Sequence, residues 1–335
     1  PLIIGTNSHE ASMFAWTKPP MLPTTEASVE ASLMSALQSD NERHVLYALE
    51  TLNVMGAVRQ TDAITPLLDH ASPEIRERAL LVLSASNEEV SEEQLAPRLD
   101  DIHFPVRVEA AHVLIQGASQ VTAETFLAGE DRGRRLVGLG YVSRYGSDEE
   151  RAQVDPDLIE SLLEGEVSNE AVRTVVARSL GNLPIDLAGP FLDRLKADPS
   201  ESVIRETILS LGKLGRSEDQ SWLVGQLGER RTRSEAREAL SSLGGDVLDT
   251  LESRLDDVDS PRVRNSLPRV LGQIPSQRSA DILAARLGKS GAALEFQLVK
   301  ALNKLRELAP DIRLESKVVQ AALLREIEHY SDLVH

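Results

Sequence analysis

The sequence predicts an all-α protein, a right-handed α-α superhelix of about nine short helix pairs, and three observations carry that expectation. The first is a phrase that recurs every 31 or 32 residues. Ser72-Pro73-Glu74-Ile75-Arg76-Glu77-Arg78-Ala79-Leu80 is followed by Phe104-Pro105-Val106-Arg107-Val108-Glu109-Ala110-Ala111, so that Arg76 and Arg107 stand 31 apart. Ala48, Ala79 and Ala110 keep the same step, and Arg173, Arg205 and Arg237 stand 32 apart. The second is that apolar residues return at helical spacing on both sides of every turn. The third is composition: aromatics are 3% and apolar residues 41% of the chain, so a core must be built from Leu, Val, Ile and Ala, which suits helix on helix and leaves little for sheet. A period of this size marks stacked supersecondary units. Such a stack lengthens one continuous core, so 335 residues are expected to form one elongated body.

Residues 1–28 carry Pro19, Pro20 and Pro23 without a helical period and read as an irregular segment, in which Phe14 and Trp16 cap the open end of the first repeat. The repeats occupy 29–310. Ala31, Met34, Ala36 and Leu37 precede the turn Ser39-Asp40-Asn41, and Val45, Leu46, Ala48, Leu49 and Leu52 form the partner stripe. Ile64, Leu67 and Leu68 pair in the same way with Ile75, Ala79, Leu80 and Leu83, and Leu95 and Leu99 with Val106, Ala110, Val113 and Leu114. Pro73 and Pro105 fall in a first helical turn, where a missing N–H costs nothing. Between about 115 and 155 the glycines 129, 133, 138, 140 and 146 weaken the pattern, which predicts a degenerate pair and a change of curvature. Regular units resume at Leu158 and Ile159. Gly181, Gly212, Gly215, Gly244 and Gly272 fall near the ends of later helices and read as C-terminal caps. Residues 311–335 read as a closing amphipathic helix, Val318 to Leu333.

The phrase Asp/Ser-Pro-x-Val/Ile-Arg-x-x-Ala at each second helix resembles HEAT repeats of the armadillo-like class, in particular the short HEAT-like units common in bacterial proteins, over roughly 30–310. General HEAT units run nearer about 40 residues, so the short subtype is the nearer match. Thr65-Pro66-Leu67-Leu68-Asp69-His70-Ala71 is similar to an ankyrin signature but does not recur. Leu46-Tyr47-Ala48-Leu49-Glu50 and Phe296 to Arg306 look like the HEAT-like module fused behind nucleotide-translocase-type membrane domains of some bacteria. That likeness implies a piece of a larger membrane protein, in keeping with a start at Pro1, tethered at the cytoplasmic face of the inner membrane.

A net charge of −17 disfavours phosphate backbones as partners, so nucleic acid is not expected. The absence of cysteine excludes disulfides and thiolate metal sites and fits a cytoplasmic location. No stretch reaches the length of about 18 apolar residues that spans a bilayer. Neither a catalytic group, a metal nor a cofactor is expected. His9-Glu10 has no second histidine at metalloprotease spacing; Gly288-Lys289-Ser290 has Leu283 where a phosphate loop needs glycine; Gly138-Leu139-Gly140 lacks a third glycine and a preceding strand; there is no Gly-x-Ser-x-Gly elbow.

Six arginines repeat within the phrase: Arg76, Arg107, Arg173, Arg205, Arg237 and Arg264. The HEAT-like resemblance implies that they are structural, each paired with an acidic group of a neighbouring turn, with Asp69, Asp100 and Asp101 placed to serve. Two basic clusters, Arg132-Arg134-Arg135 and Arg230-Arg231-Arg233, interrupt the acidic chain and are the candidate partner-binding residues. The expected function is a non-enzymatic scaffold that presents a concave helical surface to protein partners. The alternatives are a regulatory or accessory module of a bacterial membrane transporter and an enzyme like the chromophore lyases that share short HEAT-like repeats.

Overall fold

The computed structural model describes residues 26–55, 61–86, 90–117, 121–164, 169–256 and 260–314. The expected N-terminal cap and the C-terminal capping helix lie outside the described residues. Those that are described contain helices and turns and no strand, and the chain divides into two compact units, Pro1–Gln120 and Val121–His335.

Among its described residues the first unit holds three helix pairs. Helix α1 (Glu26–Leu37) pairs with α2 (Glu42–Met55); two 3-10 turns, Thr61–Ala63 and Thr65–Asp69, pair with α3 (Pro73–Ala85); α4 (Glu92–Leu95), continued by a 3-10 turn Ala96–Asp100, pairs with α5 (Phe104–Gln116). Pro97 follows α4 and offers no N–H to continue its i→i−4 ladder, which accounts for the tighter turn after it, while Pro66 sits in the first turn of its segment, where no N–H is needed. α2, α3 and α5 pack each on the next, and Leu49, Leu52, Ile75, Leu80 and Leu83 are fully buried between them.

Among its described residues the second unit holds six pairs: α6 (Ala123–Leu127) with α7 (Arg132–Tyr145), then, after the single turn α8 (Asp148–Arg151), α9 (Pro156–Leu163) with α10 (Glu170–Leu180), α11 (Ile185–Leu195) with α12 (Glu201–Leu214), α13 (Gln220–Gln226) with α14 (Arg233–Ser242), α15 (Leu248–Leu255) with α16 (Pro261–Leu271), and α17 (Gln277–Ala284) with α18 (Ala292–Leu308). The second members form a continuous stack, α7 on α10, α10 on α12, and so on to α18. The helix starts follow from the sequence. Asp131, Asp155, Asn169, Ser200 and Ser276 each accept a backbone N–H from the first turn they precede, and Ser91, Thr122 and Ser147 complete capping boxes with Gln94, Thr125 and Glu150.

Two readings of the glycines change. The region around Gly138 forms a regular helix, α7, and a Cβ on Gly138 would lie 2.7 Å from that of Phe126, so the glycine admits α6 rather than loosening the pair. Of the glycines read as caps, Gly215 ends α12 and Gly244 follows the last turn of α14 in the left-handed conformation (φ 71° and 59°), as that role requires. Gly212 instead lies inside α12, while Gly181 and Gly272 do stand at the C-terminal caps of α10 and α16 but keep right-handed backbone. A Cβ at Gly181 would stand 2.8 Å from Ser210 Cα, at Gly212 2.6 Å from Ala239 Cα, and at Gly272 3.0 Å from Ala301 Cα. These three residues let successive second helices approach backbone to backbone.

Candidate interaction surface

Two of the repeat arginines make the same construction, one in each unit. Arg76 is buried; its Nε and Nη2 each donate 2.8 Å bonds to the two oxygens of Asp101, and Nη1 donates to the carbonyls of His70 and Ala71. Arg173 donates to Asp198 at 2.7 and 3.3 Å. In both cases the aspartate lies 25 residues on, in the turn just before the next second helix, and also accepts a backbone N–H there, from His103 or from Ser200. One carboxylate thereby ties the preceding repeat to the cap of the following one. Burial pushes the Asp101 carboxyl up, but the bonds from Arg76 and from the His103 amide outweigh it and hold the group below its ordinary range. Asp69 belongs elsewhere, accepting from Arg98 at 2.6 Å.

The other repeat arginines differ. Arg107 lies over the ring of Phe104 at 5.1 Å. Arg205 donates to Glu201 at 2.5 Å and to the carbonyl of Arg231 at 3.1 Å, with Glu235 at 3.7 Å. Arg237 and Arg264 have no carboxylate within ion-pair distance among the described residues, and the Nε of each is buried without a hydrogen-bond partner. Burial pulls the Arg237 guanidinium down from its ordinary value, and the positive charges of Arg269 on α16 and Arg233 on its own helix pull in the same direction.

Within the first basic cluster, Arg132 donates through Nη2 to the carbonyls of Ser161 and Glu164, and Arg135 donates to the carbonyl of Gly129 and to Ser161 Oγ. These two guanidinium groups therefore meet the C-terminal end of α9, where the helix dipole is negative. Arg134 is half-buried. In the second cluster Arg231 is exposed and lies 3.2 Å from Glu201, while Arg233 gives its donors to the carbonyls of Leu227 and Gly228. Arg230 is exposed and has no hydrogen bond or ion pair among the described residues.

Among the described residues from Arg230 to Arg269 the construction of Arg76 and Arg173 does not recur. Helix α16, Pro-Arg-Val-Arg-Asn-Ser-Leu-Pro-Arg-Val-Leu, has three arginines and no acidic residue in a chain that is acidic overall. That local excess was legible in the sequence. The neighbourhood of Arg237 and Arg269 was not, because it depends on how α14 and α16 are offset.

A buried network was also not legible. Asp219, fully buried, accepts from Arg216 through both oxygens (2.6 and 2.8 Å) and from Lys196 at 2.5 Å; Arg216 and Lys196 share Asp193 at 2.7 and 2.6 Å. Gly189 makes room for it, since a Cβ there would fall 2.3 Å from Arg216 Nη1. The network ties α11 to α13 and its 3-10 lead-in, with Lys196 over the ring of Trp222 at 5.7 Å. Among the described residues no group of three or more His, Asp or Glu could hold a metal ion, and no helix is long and apolar enough to cross a membrane.

Residues 188–267 match the family model described as HEAT repeats, so α12, α13, α14 and α15 with their connections are HEAT-repeat sequence. No curated protein matches the chain. Among solved structures, the Escherichia coli protein YibA is similar at 14% identity, covering 85% of this chain and 97% of its own, with a TM-score of 0.42. An engineered protein is similar at 17% identity, covering 88% and 97%, with a TM-score of 0.34. Human deoxyhypusine hydroxylase, in complex with glycerol, is similar at 16% identity, covering 84% and 96%, with a TM-score of 0.34.

Proposed function

We propose that this chain is a non-enzymatic scaffold that holds a protein partner along the second helices of its repeats. The observation that carries the reading is the stack α7, α10, α12, α14, α16 and α18, in which each second helix lies against the next and leaves side chains such as Arg178 and Glu238 exposed. Such a row offers many weakly selective contacts to an extended segment, which is how stacked repeats recognise protein. HEAT-repeat sequence over 188–267 supports it. So does electrostatics: a chain of charge −17 repels long polyanions over most of its surface, whereas a protein segment can match local charge.

Photo-crosslinking amino acids placed at Arg178 and Glu238, exposed on second helices, and at Asp249 and Asp281, exposed on first helices, test the reading. The expected outcome is a protein captured from the second-helix positions, identified, and rebound as a purified chain. Capture from Asp249 and Asp281 alone, or from none of the four, refutes it.

A further inference from the structure

In the repeats that contain Asp101 and Asp198, the aspartate stands three residues before the first residue of the next second helix, α5 or α12. The corresponding place before α14 is Arg230, 25 residues after Arg205, and before α18 it is Lys289, 25 residues after Arg264. For Arg205 and Arg264 the sign of the charge is therefore reversed at the position that neutralises Arg76 and Arg173. The place before α16 that would serve Arg237 is 258, outside the described residues. Arg237 is half-buried, its Nε has no acceptor, and its charged neighbours are Arg233 and Arg269. Like charges four apart on one helix destabilise it, and an uncompensated, partly desolvated guanidinium is a cost that folding alone would remove by substitution. Among the described residues no carboxylate repays that cost; an anionic ligand would.

We propose that the face of α14 and α16 around Arg237 docks an acidic segment of a partner protein, whose carboxylates supply the counter-charge that Asp101 and Asp198 provide in other repeats. The proposal rests on the scaffold reading and deepens it by naming the chemistry of the partner. Guanidinium groups present paired N–H donors that match a carboxylate. Arg233, Arg237 and Arg269 lie on two adjacent second helices, so a short extended peptide can meet all three. A long nucleic acid would run beyond them onto a surface of the opposite disposition, such as the Glu201 and Glu206 carboxylates of α12.

The test is fluorescence anisotropy with a labelled glutamate decapeptide at about 0.15 M salt, against a glutamine decapeptide and a ten-nucleotide single-stranded RNA. The glutamate peptide is expected to bind, more weakly as salt rises, while the glutamine peptide does not. Arg237→Gln combined with Arg269→Gln is expected to weaken binding about tenfold or more, and Arg269→Glu, at an exposed site, to weaken it at least as much. Because Arg237 has no carboxylate partner among the described residues, Arg237→Gln should leave the melting temperature unchanged or higher. A glutamate peptide that does not bind, a double variant that binds like the parent, RNA bound more tightly than peptide, or a fall of several degrees in the melting temperature of Arg237→Gln each overturns the proposal. Crosslinked capture of a protein at Arg178 or Glu238 alongside an unbound glutamate peptide overturns the acidic segment alone and leaves the scaffold reading standing.

Discussion

Replacing Asp219 by Asn removes one charge from the buried centre of the second unit and leaves the shape nearly unchanged. In the parent, the carboxylate accepts three short hydrogen bonds from two cations, and all three are lost or reversed, because the amide nitrogen of Asn would face donors. Breaking a buried pair by removing one partner costs about 3–5 kcal/mol, since the opposite charge is left in the interior. Here Arg216 and Lys196 both retain Asp193, which is half-exposed, so the lower end, about 3 kcal/mol, is expected. Urea unfolding read from Trp222 fluorescence in a Trp16→Phe background reports on this repeat directly, because Lys196 lies over the Trp222 ring. The effect should depend on pH. Burial raises the Asp219 carboxyl, but the bonds from Arg216 and Lys196 outweigh it, so the folded value lies below the ordinary one. A depressed carboxyl contributes stability that is complete above the unfolded value and is lost as pH falls through the folded one. The gap between parent and Asp219→Asn should therefore be full at pH 7 and narrow from about pH 5 downward. A loss below about 1 kcal/mol, or a gap indifferent to pH, would refute the view that this carboxylate holds the network together.

Gly212→Ala should destabilise by about 1–3 kcal/mol, because the new methyl meets the Ala239 backbone at 2.6 Å, with faster amide exchange in α12 and α14. Gly225→Ala, where nothing lies within 4 Å, should stabilise α13 by about 0.5–1 kcal/mol in the same thermal melt. Arg76→Ala strands the buried Asp101 and should cost about 3–5 kcal/mol. Arg98→Ala, whose partner Asp69 is 78% exposed, should cost about 1 kcal/mol or less; equal losses for the two would contradict the burial argument. Asn169→Ala removes the cap on the Val172 amide and should cost about 1 kcal/mol, measured by urea unfolding.

The sequence by itself determined the local structure and the kind of stack. Apolar spacing placed the helices, Pro73 and Pro105 marked starts, and the 31- and 32-residue steps required units that bury their faces on one another. These are properties of neighbours along the chain, so they can be read from the chain. The tertiary structure decided which side chains meet between repeats. That Arg76 takes Asp101 and leaves Asp69 to Arg98, that Asp219 is sealed beneath Arg216, and that Gly212 serves close packing rather than a cap all depend on the offset of one helix against another. Spacing in the sequence does not contain that offset; it is fixed only when the backbones of α12 and α14, or of α14 and α16, settle into contact. For the same reason the repeat phrase presented Arg173 and Arg237 as equivalents, whereas packing gave one an aspartate and set the other between two arginines.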